Sequence, residues 1–164
     1  MDRQKIVRTF LRYTLYIIGF FILSAFANWL QAPKPSANTV VSLPLSTLDG
    51  TQKILPTAQG KTTVVYFFAP WCTVCKLSMD AMNMFEGSAR VQALTIGLDY
   101  ENRNELAAFQ ERMKAPIYAG SQELQRQFQV DRYPTVYIID GNGKIKHTMV
   151  GYASRLGIWI RSWI

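Results

Sequence analysis

The run Val64-Val65-Tyr66-Phe67-Phe68 is apolar at successive positions, so a strand built on it turns apolar side chains to both of its faces. Such a strand belongs in the middle of a sheet with both faces covered, which requires helices above and below it. It leads directly into Trp71-Cys72-Thr73-Val74-Cys75-Lys76, which holds the only two cysteines of the chain. Delivered onto the first turn of a helix, Cys72 lies among free backbone N–H groups at the positive end of the dipole, where a thiolate is stabilised. Cys75, one turn on, is near enough to close a short disulfide. The pair points to thiol–disulfide exchange.

The 164 residues make one domain plus an appendage. About 130 remain after the N-terminal segment, enough for a core that needs no disulfide staples. Two cysteines three apart could not tie distant loops together in any case. The formal net charge of +7 is unevenly spread: residues 1–30 carry Arg3, Lys5, Arg8 and Arg12 against Asp2, and the other 14 basic and 10 acidic side chains are dispersed. No basic stripe or aromatic-interleaved basic patch forms, which argues against nucleic-acid binding.

From Tyr13 to Leu30, 18 residues pass without a charge, just enough to cross a bilayer core. The basic residues before them predict a cytoplasmic segment over 1–12 and a single membrane-crossing anchor over 13–30, with Trp29 at the far interface. Ala25-Phe26-Ala27 also fits a signal-peptide cleavage pattern. The apolar character continues through Trp29-Leu30 with no helix breaker ahead of the site, which favours the uncleaved anchor over a secreted form. Both readings put the cysteines outside the cytoplasm. Residues 31–38, with Pro33-Lys34-Pro35-Ser36, then read as a short extended tether to a domain at 39–164.

Within that domain, Val40 to Leu45, the turn signal Leu48-Asp49-Gly50 and Gln52 to Leu55 predict a β-hairpin. Thr62 to Phe68 is the central strand. A helix follows from Cys72 to about Phe85, with Leu77, Met82, Met84 and Phe85 as its core positions. Val91 to Leu98 is a buried strand, and Asn104 with Glu105 opens a helix through Met113. Ala115 to Ala119 reads as a short strand and Ser121 to Gln129 as a helix capped by Ser121. Thr135 to Asp140, the turn Asp140-Gly141-Asn142-Gly143 and Lys144 to Val150 form a closing hairpin. Ser154 caps a last helix with Leu156, Ile158, Trp159, Ile160 and Trp163 on its apolar face. The fold class is α/β, a mixed sheet between helices.

This order of elements, with Trp71-Cys72-x-x-Cys75-Lys76 after the central strand and Tyr133-Pro134-Thr135 before the closing hairpin, resembles the thioredoxin superfamily. The N-terminal β-hairpin and the inserted helix–strand segment between Asp99 and Tyr133 are similar to the membrane-anchored TlpA-like and ResA-like exported disulfide oxidoreductases. Among these the chain is most similar to the copper-sensitivity-suppressor type. The resemblance implies that Cys72 is the exposed nucleophile and Cys75 the buried resolving thiol of a redox-active disulfide. It further implies that Trp71 flanks the nucleophile and shapes the contact surface, with Thr73, Val74 and Lys76 supporting the substrate groove. Pro134 would be cis beside the cysteines, its loop exposing backbone for an extended substrate, with Tyr133 helping to choose partners.

Three positions depart from the family pattern. Its buried acidic residue six before the first cysteine is Tyr66 here. Its glutamate three after the second cysteine is Ser78, and its helix-kinking proline two further on is Asp80. Asp80 is expected on a solvated helix face, leaving water or Lys76 to carry the proton of Cys75.

The exchange needs no cofactor. Potentials in this fold span about −270 to −120 mV, and Thr73-Val74 matches neither the reducing Gly-Pro nor the oxidising Pro-His dipeptide. The resemblance favours reduction of protein disulfides, with electrons supplied by a transmembrane thiol-electron transporter. The alternatives are a disulfide-forming oxidase of the same fold and a Cu(I)-binding module. Two thiolates can hold Cu(I), whereas a closed zinc site wants four ligands. Met79 and Met82 form one Met-x-x-Met that is also ordinary helical packing, and His147 reads as a surface strand residue, so no metal ligand set is assigned.

Overall fold

The computed structural model describes residues 3–31, 39–40, 42–57 and 59–163. Helix α1 (Arg3–Gln31) is followed by strands β1 (Ser42–Thr47), β2 (Gln52–Pro56) and β3 (Thr62–Phe68). Helix α2 (Thr73–Ser78) runs into a 3₁₀ helix (Met79–Phe85), and β4 (Val91–Gly97), α3 (Arg103–Gln110) and β5 (Ile117–Ala119) come next. The chain ends with α4 (Gln122–Gln127), β6 (Thr135–Ile139), β7 (Ile145–Val150) and α5 (Arg155–Trp163). It divides into two compact units, Met1–Ala32 and Pro33–Ile164.

Seven strands form one sheet in the order β2-β1-β5-β4-β3-β6-β7. β3 lies between a parallel neighbour, with Val65 opposite Leu94, and an antiparallel one, with Val65 opposite Tyr137. Its residues from Thr63 to Phe68 are all buried. Val64, Tyr66 and Phe68 pack with α2, the 3₁₀ helix, α3 and Ile158 of α5 on one face of the sheet. Val65 and Phe67 pack with Leu124 and Phe128 on the other. Each such side chain stabilises the fold by roughly 1.5–3 kcal/mol relative to exposure, which is why this strand is the spine of the domain.

The expected N-terminal hairpin is β1–β2, antiparallel, with Ser46 opposite Gln52. Gly50 at φ 95° closes its turn. There the Asp49 carboxylate accepts from the Thr47 hydroxyl and from the Thr51 N–H at 3.0 Å, and those bonds hold its pKa down to about 2. Ser121 caps α4, its hydroxyl accepting from the Leu124 N–H at 3.1 Å. Ser154 caps α5 through the Gly157 N–H at 3.1 Å.

Several expectations are corrected. The helix over 72–85 stays α-helical only to Ser78, whose hydroxyl bonds back to the Val74 carbonyl at 3.0 Å, a local competition that disturbs a regular helix. After this change of pitch Met79, Ala81, Met82 and Phe85 enter the core, while Leu77 is 69% exposed and Met84 is also exposed. Helix α3 begins at Arg103, one residue before the expected Asn104, because the Asn102 side chain accepts from the Asn104 N–H at 3.0 Å and so caps it. It ends at Gln110, whose side chain instead takes the Ile117 N–H at 2.8 Å and pins β5. On α5 only Ile158 among the expected apolar positions is buried; Leu156, Trp159, Ile160 and Trp163 face outward.

Helix α1 covers the expected anchor over 13–30, but among the described residues no helix is long and apolar enough to cross a membrane. The described side chains are continuously uncharged only from Tyr13 to Leu23, a rise of about 16 Å. The side chains at 24, 25 and 27–31, Trp29 among them, and the tether at 32–38 lie outside the described residues.

Two loops at the end of the sheet away from the cysteines meet closely. A Cβ at Gly141 would lie 2.7 Å from the carbonyl carbon of Gly60, whose N–H donates to the Gly141 carbonyl at 3.0 Å. Backbone cannot yield as a side-chain tip can, so Gly141→Ala is expected to cost about 1–3 kcal/mol in chemical denaturation. An unchanged midpoint would show that the two loops part freely.

Candidate active site

β3 ends at Phe68, and the Cys72 N–H donates to the Ala69 carbonyl at 3.1 Å, closing the turn that puts Cys72 at the head of α2. Cys72 is the N-cap, with φ −79° and ψ 106°, and its sulfur accepts from the Cys75 N–H at 3.1 Å. Sulfur at an N-cap receives the donors that stabilise a thiolate once the pair is reduced. Cys72 and Cys75 are joined as a disulfide, S–S 2.21 Å and Cα–Cα 5.3 Å. Cys75 is 0% and Cys72 6% exposed. Cys72 is therefore not the open group expected of it: it packs in the cluster that holds Ala69, Cys75 and the partly buried Tyr133.

The exposed surface here belongs to the flanking residues. Trp71 is 64% exposed, with its ring meeting Tyr133 edge-on at 5.5 Å. Thr73, Val74 and Lys76 are exposed on the outer side of α2. The Lys76 ammonium lies 5.8 Å over the Phe109 ring. The Tyr133–Pro134 peptide is cis, and the Pro134 carbonyl accepts from the Gly151 N–H at 2.9 Å. The Tyr133 hydroxyl accepts from the Gln125 side-chain amide at 3.1 Å. Burial, and after it the charge of Asp99, pushes that hydroxyl above the usual tyrosine range.

Beneath α2 stands Tyr66. Its hydroxyl is 2.8 Å from the Ser78 hydroxyl and 3.4 Å from the Cys75 carbonyl, and desolvation pushes its pKa well up. Asp80 is half-exposed, as expected of a helix face, but only in part: Oδ2 pairs with Arg112 at 2.8 Å, whereas Oδ1 is buried with no hydrogen-bond partner among the described residues. The Tyr66–Ser78 bond and the Asp80–Arg112 pair were missed from sequence. The first had a readable signal, since Tyr66 shares its side of the strand with Val64 and Phe68, the side that receives α2. His147 sits on β7 opposite Ile138, away from the cysteines in the fold. Among the described residues no group of three or more His, Cys, Asp or Glu is placed to hold a metal.

A sheet of this topology with a cysteine pair at a helix start and a cis-proline loop beside it defines a thioredoxin-like thiol–disulfide oxidoreductase. The AhpC/TSA family model matches residues 32–148, and the chain belongs to that family. It is similar to the thiol–disulfide oxidoreductase ResA of Geobacillus thermodenitrificans, 28% identical over 149 residues, or 86% of this chain and 79% of that one. It is also similar to the sporulation thiol–disulfide oxidoreductase A of Bacillus subtilis, 24% identical over 84% of this chain and 88% of that one. Among solved structures, a thioredoxin-family thiol:disulfide interchange protein from Chlorobium tepidum shares the fold with a TM-score of 0.66 at 22% identity, over 79% of this chain and 95% of that one.

After reduction, iodoacetamide at neutral pH is expected to modify Cys72 roughly tenfold faster than Cys75, with a rate midpoint below the ordinary thiol value of about 8.5. Mass spectrometry of the tryptic peptides reads this. Equal rates would mean that the N-cap donors do not distinguish the two thiols.

Proposed function

We propose that the protein reduces disulfides of exported proteins through a Cys72/Cys75 dithiol. The observation that carries this is the closed pair at the head of α2, its leading sulfur already receiving a backbone N–H. The Cys72 thiolate attacks a substrate disulfide, forming a mixed disulfide and releasing one substrate thiol. The Cys75 thiolate then attacks the Cys72 sulfur, releasing the second substrate thiol and closing the pair. Two electrons pass from the dithiol to the substrate. Trp71, Thr73, Val74 and Tyr133 form the rim against which a protein substrate rests, with the Pro134 loop beside it and Lys76 adding a positive charge.

The protein works on the outer side of a bacterial inner membrane, with 39–164 as the redox domain, 31–38 as its tether and 13–30 as its anchor. The 18 uncharged residues after a basic segment support this, as do the exposed apolar side chains along α1 from Phe10 to Leu23. An oxidising compartment lacks a thiol reductant, so a transmembrane thiol-electron transporter returns the pair to the dithiol. The likeness to the copper-sensitivity-suppressor type rests on the sequence features alone and belongs to the same proposal. The oxidase reading uses the same atoms in reverse, so the potential decides between them.

Equilibration of the full chain in glutathione buffers is expected to give a potential below about −230 mV; a value in the glutaredoxin range or above would overturn the reductive direction. Cys75→Ala is expected to accumulate mixed disulfides through Cys72, visible on non-reducing gels and lost on adding dithiothreitol. Failure to trap any partner would favour Cu(I) binding.

A further inference from the structure

The floor of the redox centre holds groups that the exchange scheme leaves unused. The Ser78 hydroxyl donates its only proton to the Val74 carbonyl at 3.0 Å, so in the 2.8 Å contact with Tyr66 it is the acceptor. Tyr66 is the donor there, and its hydroxyl oxygen lies 3.4 Å from the Cys75 carbonyl. One tyrosine on the central strand and one serine at the end of α2 thus form a chain of hydrogen bonds that ends on the Val74 carbonyl, next to Cys75. Behind them Asp80 keeps one oxygen buried and unpartnered while Arg112 engages only the other. An unquenched carboxylate oxygen in such a place is costly unless it has a use.

We infer that Tyr66 and Ser78 act as one positioning unit that holds Cys75 for its attack on the mixed disulfide, and that Asp80 is the carboxylate electrostatically coupled to that thiol. This rests on the exchange reading above. Cys75 is fully buried, so its ionisation is opposed by desolvation and is sensitive to any nearby charge. The Asp80 charge already acts on the Tyr66 hydroxyl, second to desolvation in raising its pKa. The same charge disfavours a second anion at Cys75. The other charged or titratable groups around the thiol are Lys76 on its own helix, Arg112 beyond α3, and Tyr133 with Asp99 at the opposite rim. Lys76 lies outward over Phe109, and Arg112 is committed to the outer oxygen of Asp80. Asp80 is left as the group whose charge is not cancelled where it faces inward.

The test is a single turnover of the reduced full chain with 5,5′-dithiobis(2-nitrobenzoate). Cys72 attacks the reagent and releases one nitrothiobenzoate, leaving Cys72 bonded to the other. Cys75 then displaces that second thiolate and closes the Cys72–Cys75 disulfide, the dithiol losing the two electrons that the reagent gains. The ratio of second-phase to first-phase rates isolates the Cys75 step. Tyr66→Phe and Ser78→Ala are each expected to lower this ratio roughly tenfold, and the double variant to lower it no further, the signature of one coupled unit. Ser78→Thr, which keeps the hydroxyl, is expected to restore it. Asp80→Asn is expected to move the apparent pKa of the second phase down by about one unit, since removing a like charge favours the thiolate. Ratios and pH profiles that superimpose on the parent would overturn the inference while leaving the exchange reading intact. A parent protein that never releases the second thiolate would overturn both. If Tyr66→Phe fails to fold, Ser78→Ala and Asp80→Asn still decide the matter.

Discussion

Burial of β3 on both of its faces is the constraint from which the redox centre follows. The strand can place Val65 and Phe67 against Phe128 and Leu124 only if α4 covers that side. It can place Val64, Tyr66 and Phe68 under α2 only if the chain turns sharply after Phe68. That turn is where the Cys72 N–H meets the Ala69 carbonyl and where α2 begins. The cysteine pair therefore sits where it does because a central strand must end beneath a helix start. The same packing explains why both cysteines are enclosed and why Trp71, with its ring against Tyr133, forms the outer surface.

Much of this was legible in the residues. β-branched and aromatic runs located β3, β4 and β6, because strands covered on both faces need no alternation to be recognised. Ser121 and Ser154 were readable as caps since their partners lie three residues away. What escaped depends on contacts far apart in sequence. Asp80 finds Arg112 across 32 residues, and Tyr66 finds Ser78 across 12. The exposure of Leu77 and Met84 escaped for a different reason: Leu77 lies two residues from the buried Cys75 and so faces away from it on α2, and Met84 falls in the 3₁₀ segment after Ser78. The exposed face of α5 shows the limit of periodicity: Ile158 faces the sheet, and the aromatic residues around it remain outside.

The three departures from the family pattern at Tyr66, Ser78 and Asp80 are spatially one event. Read singly along the chain, they remove two carboxylates and a proline from their usual places. In the fold, the two hydroxyls bond to each other beneath α2, and the carboxylate reappears behind them with one oxygen turned inward. A tyrosine fits at position 66 because Ser78 is small enough to leave room for the ring and polar enough to receive its hydroxyl. A carboxylate at both 66 and 78 would place two like charges in one dry site, which the interior opposes strongly. Moving the charge to position 80, where Arg112 neutralises the outer oxygen from the solvent side, keeps a negative group within reach of the Tyr66 hydroxyl without enclosing it fully. The substitutions hang together physically: without Ser78 the buried Tyr66 hydroxyl would lose its 2.8 Å partner, and without Asp80 the Arg112 guanidinium would lose its carboxylate.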